Sequence, residues 1–120
     1  MKKIKIKNPD LMNLFISLKK QSTRTETKIW RTVAKQLAKP KRNRIKVNIS
    51  RINRHSKDND TIIVPGKVLG TGQINHPVTV AAFAFSETAG KKIKTAKGKC
   101  LSLFELIKEN PQGSNITIIG

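Results

Sequence analysis

The chain has 120 residues, enough for one domain with a modest core and too few for two. Lysine and arginine number 25 against 7 acids, a formal charge of +18, while only 37% of residues are hydrophobic. So large an excess repels itself in a compact state and calls for a polyanion, which leaves RNA, DNA and anionic membrane as candidate partners.

The opening Met1-Lys-Lys-Ile-Lys-Ile-Lys7 alternates charge with isoleucine and has no apolar region ahead of a small-residue cleavage site, so the cytoplasm is the expected location. Asn8-Pro9 then reads as a helix start, a side-chain cap followed by a proline whose fixed φ suits the first helical position. Leu11, Leu14, Phe15 and Leu18 recur at three- and four-residue intervals, and Lys19-Lys20 suit the negative end of the helix dipole. A polar hinge is expected over residues 21–25. Beyond it Ile29, Trp30, Val33, Ala34, Leu37 and Ala38 predict a second helix that Pro40 stops. Lys28, Arg31, Lys35 and Lys39 follow the same period on its opposite face, a basic stripe for a phosphate backbone or else a solvated face. Lys41, Arg42 and Arg44 extend the positive charge with almost no acid nearby.

Residues 45–50 alternate isoleucine or valine with polar groups and predict a strand, after which Ser50 can cap a short helical turn. That turn places Arg51 and Arg54 on one side, with Asn53 and His55 as neighbouring hydrogen-bonding groups. Short strands are expected over 61–64, 67–69 and 78–85, separated by Pro65-Gly66, by Gly70-Thr-Gly72 and by His76-Pro77. The run Val78-Thr-Val-Ala-Ala-Phe-Ala-Phe85 is almost wholly apolar and suits a strand buried on both faces, which predicts mixed α/β layers. A helix over 86–97 is capped by Ser86 and ended by Gly98. Then come a strand over 99–102, a helix over 103–109 with Leu103, Leu106 and Ile107 inward, and a closing strand over 116–119.

Charge divides the chain unevenly. Residues 1–57 carry 18 basic residues and two acids, Asp10 and Glu26; residues 58–120 carry seven and five, for nets of +16 and +2. The expected organisation is a basic N-terminal arm with two helices over 1–45 and a globular α/β domain over 46–120.

Motifs for catalysis fail on spacing. Pro65-Gly-Lys-Val-Leu-Gly-Thr-Gly72 is not a Walker loop, because the position that requires the first glycine holds Thr61. Gly70-x-Gly72 begins a dinucleotide fingerprint, but the third glycine is replaced by Asn75. His55 and His76 lack any zinc-ligand context, Cys100 reads as a small core side chain rather than a nucleophile, and the acids are too scattered for an acid–base pair. No catalysis, cofactor, metal or small-molecule substrate is expected, and no apolar run approaches the roughly 18 residues that would span a bilayer.

Trp30 lies in register with Val33, Ala34 and Leu37, which favours the core over base stacking. With no tyrosine and four phenylalanines, the chain is a poor reader of single strands. Phosphate and sugar contact with folded RNA is the expected mode. Gly66, Gly70 and Gly72 either form simple turns or let backbone approach nucleic acid closely beside Lys67; both readings stand.

Val47-Asn-Ile-Ser-Arg-Ile-Asn-Arg-His55, Asp60-Thr-Ile-Ile-Val-Pro-Gly-Lys-Val-Leu-Gly-Thr-Gly72 and the run from His76-Pro77 to Ala82 closely resemble the large-subunit ribosomal protein family L-eighteen-e. The resemblance takes in Ile29-Trp30-Arg31, Gly98-Lys-Cys100 and Asn110-Pro111 to Gly113-Ser114, covering the chain from about Asn8 onward; the short length matches the archaeal form. It implies a non-catalytic assembly role with large-subunit ribosomal RNA and neighbouring ribosomal proteins as partners. It also implies an irregular layered superhelix of β-β-α units, shared with bacterial ribosomal protein L-fifteen, with a basic helical N-terminal arm. The stretches 51–55 and 65–72 are thereby implied to face RNA, and the arm around 39–44 to thread between RNA segments. The lysine-rich opening departs from the family pattern. A DNA-binding module using residues 25–39 as a groove helix, and an enzyme using the 66–72 loop on a phosphorylated substrate, are the competing hypotheses.

Overall fold

A computed structural model describes residues 9–25, 28–39 and 45–119. Among them the order is α1 (Pro9–Thr25), α2 (Lys28–Leu37), β1 (Ile45–Asn48), α3 (Ile49–Arg54), β2 (Thr61–Leu69), β3 (Thr79–Phe85), α4 (Glu87–Thr95), β4 (Lys99–Ser102), α5 (Leu103–Glu109) and β5 (Ile116–Ile118). The cap expected at Asn8, the side chains of Asp10 and Leu11, and residues 40–44 lie outside the described residues.

All strand pairings are parallel, in the order β1-β2-β3-β4, with β5 also paired to β2. Because β3 occupies one edge of β2, β5 and β1 share the other. Thr61 to Ile63 pair with Ile116 to Ile118, and Gly66 to Leu69 pair with Ile45 to Asn48. A parallel sheet needs cover on both faces, and side chains with a period of two sort accordingly. Ile63, Ala81 and Leu101 join one apolar cluster with α1, α2 and α5. Ile62, Val64, Val68, Val80 and Ala82 join a second cluster with α3 and α4. The result is the expected α/β layering, with each fully buried isoleucine or leucine contributing about 1.5–3 kcal/mol of transfer free energy.

The two N-terminal helices are built onto this core. Leu14 and Leu18 of α1 and Trp30, Val33, Ala34 and Leu37 of α2 are buried in the same cluster as the sheet residues. The expected hinge at 21–25 is instead the last turns of α1. Gln21 continues the stripe of Leu14 and Leu18, is 8% exposed, and donates from Nε2 to the Pro111 carbonyl at 2.9 Å. Its polarity marked it as hinge material in the sequence, whereas a hydrogen bond supplied by a residue 90 positions away lets it stay helical and buried.

Pro65-Gly66 also departs from expectation, because β2 runs straight through it. Val64 pairs with Ala82 and Lys67 with Ala84, so β2 carries one residue more than β3 across this step. Such a bulge is where a strand tolerates proline, which has no N–H to donate. Gly66 is required by close approach: a Cβ there would lie 2.0 Å from the Ile45 carbonyl oxygen.

Two helix termini are adjusted in detail. α3 begins at Ile49 with Asn48, not Ser50, in the cap position, since Ile49 is needed in the core and Ser50 N–H donates to Thr71 O at 3.3 Å. α4 starts as expected, Ser86 Oγ accepting from Ala89 N–H at 3.1 Å. It ends at Thr95, where Lys97 takes the left-handed conformation (φ 65°) while Gly98 N–H reaches Ile93 O and Lys97 N–H reaches Lys94 O, both at 2.9 Å. α5 opens with a capping box between Ser102 and Glu105.

Candidate nucleic-acid interface

The basic stripe of α2 forms as the periodicity predicts. Lys28, Arg31 and Lys35 are exposed on the side opposite Trp30, Val33, Ala34 and Leu37. Lys39 is exposed too, but lies past the helix end in the turn made by Ala38 N–H to Ala34 O and Lys39 N–H to Gln36 O. Lys41, Arg42 and Arg44 lie outside the described residues.

A second group forms around α3, on the other side of the sheet. Ile49 and Ile52 anchor the helix in the core, which turns Arg51, Arg54 and His55 outward. Asn53 is half-buried and its Oδ1 accepts from Asn75 N–H at 3.0 Å, so it fastens α3 to the connection between β2 and β3. That connection contains no helix; Ile74 fills the core in place of one. The cations adjacent in sequence are thus distributed over two outer faces of the molecule.

Of the two readings of Gly70 and Gly72, close packing of the chain on itself accounts for the missing side chains. A Cβ on Gly70 would lie 2.7 Å from Thr88 Cβ, and one on Gly72 would lie 2.4 Å from Ser50 Cβ. The Gly70–Gly72 segment is therefore wedged between the starts of α3 and α4. Lys92 completes the clasp, its Nζ donating to Gly70 O at 2.9 Å and to Gly72 O at 2.8 Å. A lysine 20 or more residues downstream as the ligand of two loop carbonyls had no local signal.

Lys67 is exposed on β2, and the register sets Lys46 of β1 directly beside it. Val47 and Val68, the next registered pair, are both buried in the α3/α4 cluster, so the two lysines project from the opposite face. Lys46 was not singled out from the sequence. The alternation Ile45-Lys-Val-Asn48 showed that it points away from Val47, but only the parallel register reveals its neighbour.

Three acids among the described residues are engaged locally. Asp60 accepts from Lys57 N–H, Glu87 pairs with Lys91 on α4, and Glu105 serves its capping box. Cys100 is half-buried against the α3/α4 cluster, and burial pushes its thiol above the ordinary value while Lys94 pulls it down. That is the environment of a core thiol rather than an activated nucleophile. His76 Nε2 lies 2.8 Å from Ser56 Oγ; since that hydroxyl donates to Ile52 O, His76 is the donor to it. Among the described residues, no helix is long and apolar enough to cross a membrane.

A parallel α/β core carrying cations outward on two faces and at one sheet end defines a basic binding protein suited to a polyanion. The chain belongs to the family described as ribosomal protein 60S L18 and 50S L18e, whose model matches residues 1–120. It is 50% identical over 119 residues to the large ribosomal subunit protein eL18 of Methanococcus maripaludis, covering 99% of both chains. The protein of the same name from Methanothermobacter thermautotrophicus is 49% identical over 118 residues, 98% of each chain. That from Archaeoglobus fulgidus is 46% identical over 112 residues, 93% of this chain and 96% of the relative. These are archaeal ribosomal proteins and not enzymes, and this chain is likewise no enzyme.

Proposed function

We propose that the chain is a structural constituent of the archaeal large ribosomal subunit. In this reading it binds large-subunit ribosomal RNA through phosphate and sugar contacts and supports subunit assembly and translation in the cytoplasm. The observation that carries it is the placement of cations on both outer faces: Lys28, Arg31, Lys35 and Lys39 over the α1/α2 side, Arg51, Arg54 and His55 over the α3 side. A surface charged on two sides suits a protein embedded between RNA segments, where phosphates approach from more than one direction.

Asn53 and Gly70 contribute to the interface in this reading by holding the 70–75 segment in place. Lys41, Arg42 and Arg44 follow Lys39 in the sequence and in this reading belong to the arm that would thread between RNA segments. Neighbouring large-subunit proteins are the remaining partners; neither a membrane, a cofactor nor a small-molecule substrate has a role. The succession β2-β3-α4 is the kind of β-β-α unit that the superhelix shared with bacterial ribosomal protein L-fifteen would use.

Sedimentation tests the reading. The tagged protein is expected to co-migrate with large subunits and to stay bound through a moderate salt wash. Recovery only in free or chromatin fractions would refute it. Against purified RNA, six to ten phosphate contacts give a steep loss of affinity with salt, about 10³–10⁵ between 50 and 200 mM.

A further inference from the structure

Lys46 and Lys67 stand in register on neighbouring parallel strands, so their side chains leave the sheet about 4.8 Å apart on the same face. Like charges placed side by side across strands oppose folding, and nothing in the core requires them, because both side chains are exposed. The helices that cover this face pack around Ile63, Ala81 and Leu101. Lys67 lies about 13 Å further along β2 than Ile63, beyond that cover. The next position in the row, on β3, is Ala84, which projects only a methyl group. Among the described residues, Glu87 pairs with Lys91, Asp60 and Glu105 accept from backbone N–H groups, and no carboxylate is paired with either lysine.

We propose that Lys46 and Lys67 form a two-strand clamp for a single RNA phosphate, an inference that rests on the ribosomal RNA reading above. A phosphodiester has two non-bridging oxygens, and two flexible ammonium groups spaced by one strand separation can each donate to one of them. The phosphate removes the mutual repulsion that the free protein carries. Gly66 is part of the device, because its missing side chain lets the Ile45 carbonyl approach and so brings β1 into register beside β2.

The experiment is a mutant cycle on the full chain with Lys46→Gln, Lys67→Gln and the double variant. Binding to large-subunit RNA is titrated against salt, and thermal unfolding of the free protein is followed in parallel. If one phosphate is shared, the double variant loses about 0.7–0.9 from the log–log salt slope, the loss expected for one phosphate. Each single variant then accounts for most of that loss, and both singles melt at or above the wild-type temperature. A double-variant slope equal to wild type overturns the clamp while leaving the ribosomal reading intact. A loss of two phosphates' worth, with the singles adding, overturns it in favour of independent contacts. Wild-type protein that fails to bind large-subunit RNA overturns the clamp together with the reading beneath it.

Discussion

The indole N–H of Trp30 donates to the carbonyl of Pro111 at 2.8 Å, joining α2 to the turn between α5 and β5 across 81 positions of sequence. Gln21 donates to the same oxygen at 2.9 Å, so one acceptor ties both N-terminal helices to the C-terminal part of the chain. Trp30 is fully buried and belongs to the core cluster, so its indole links that core to the exposed turn at Pro111.

Trp30→Phe is expected to lower stability by about 1–2 kcal/mol, from a lost hydrogen bond and a small void, with Gln21 still satisfying the carbonyl. Trp30→Ala removes the ring as well and should cost about 3–5 kcal/mol. Denaturant unfolding followed by far-UV circular dichroism checks both, and equal losses in the two variants would contradict the geometry.

Gly66→Ala is predicted to be far more damaging than an alanine in an ordinary strand. The added carbon meets backbone rather than a flexible side chain, so β1 must move away from β2. A loss of at least about 2–3 kcal/mol is expected. Amide exchange should show faster labelling confined first to residues 45–48 and their partners 66–69.

Lys92→Met keeps much of the aliphatic stem but removes the donor to the Gly70 and Gly72 carbonyls. The group is half-buried, so the expected cost is modest, about 1–2 kcal/mol after allowance for solvent screening. Exchange of the 70–75 amides should rise, whereas the α2 helix should be unaffected. Protection in that loop equal to wild type would rule the clasp out.

Alanine at Lys28, Arg31 and Lys35 together should leave stability within about 0.5 kcal/mol of wild type, since the side chains are exposed on the outer face. Affinity for large-subunit RNA should fall, with the salt slope reduced by about 0.7–0.9 for each phosphate contact removed. An unchanged slope would return the stripe to a merely solvated face.

Cys100 gives a pH signature. Burial raises the folded thiol above 9.0, its ordinary value, so the native state favours the neutral form. The stability associated with it is present below the unfolded value and is lost as pH rises past about 9. Melting temperature should therefore fall more steeply above pH 9 in wild type than in Cys100→Ala, and thiol reagents should react slowly with the native protein at neutral pH.

Charge, apolar periodicity and helix punctuation were legible from local sequence because each depends on residues within a turn or two. The +18 charge pointed to a polyanion; the three- and four-residue spacing of Leu14, Leu18, Trp30 and Leu37 marked the buried sides of two helices; Ser86 announced a helix start. The motifs from Val47 to His55 and from Asp60 to Gly72 pointed to the family. Tertiary structure alone decided what each feature faces. It carried β2 through Pro65-Gly66, made Gln21 a core residue, filled the space beside Gly70 and Gly72 with protein, and sent the α2 and α3 cations to opposite sides of the sheet. It also brought Lys46 and Lys67 side by side. The reason is physical: periodicity is written within one element, whereas strand register and the partner of a buried polar group are chosen by pairing between segments distant in the chain.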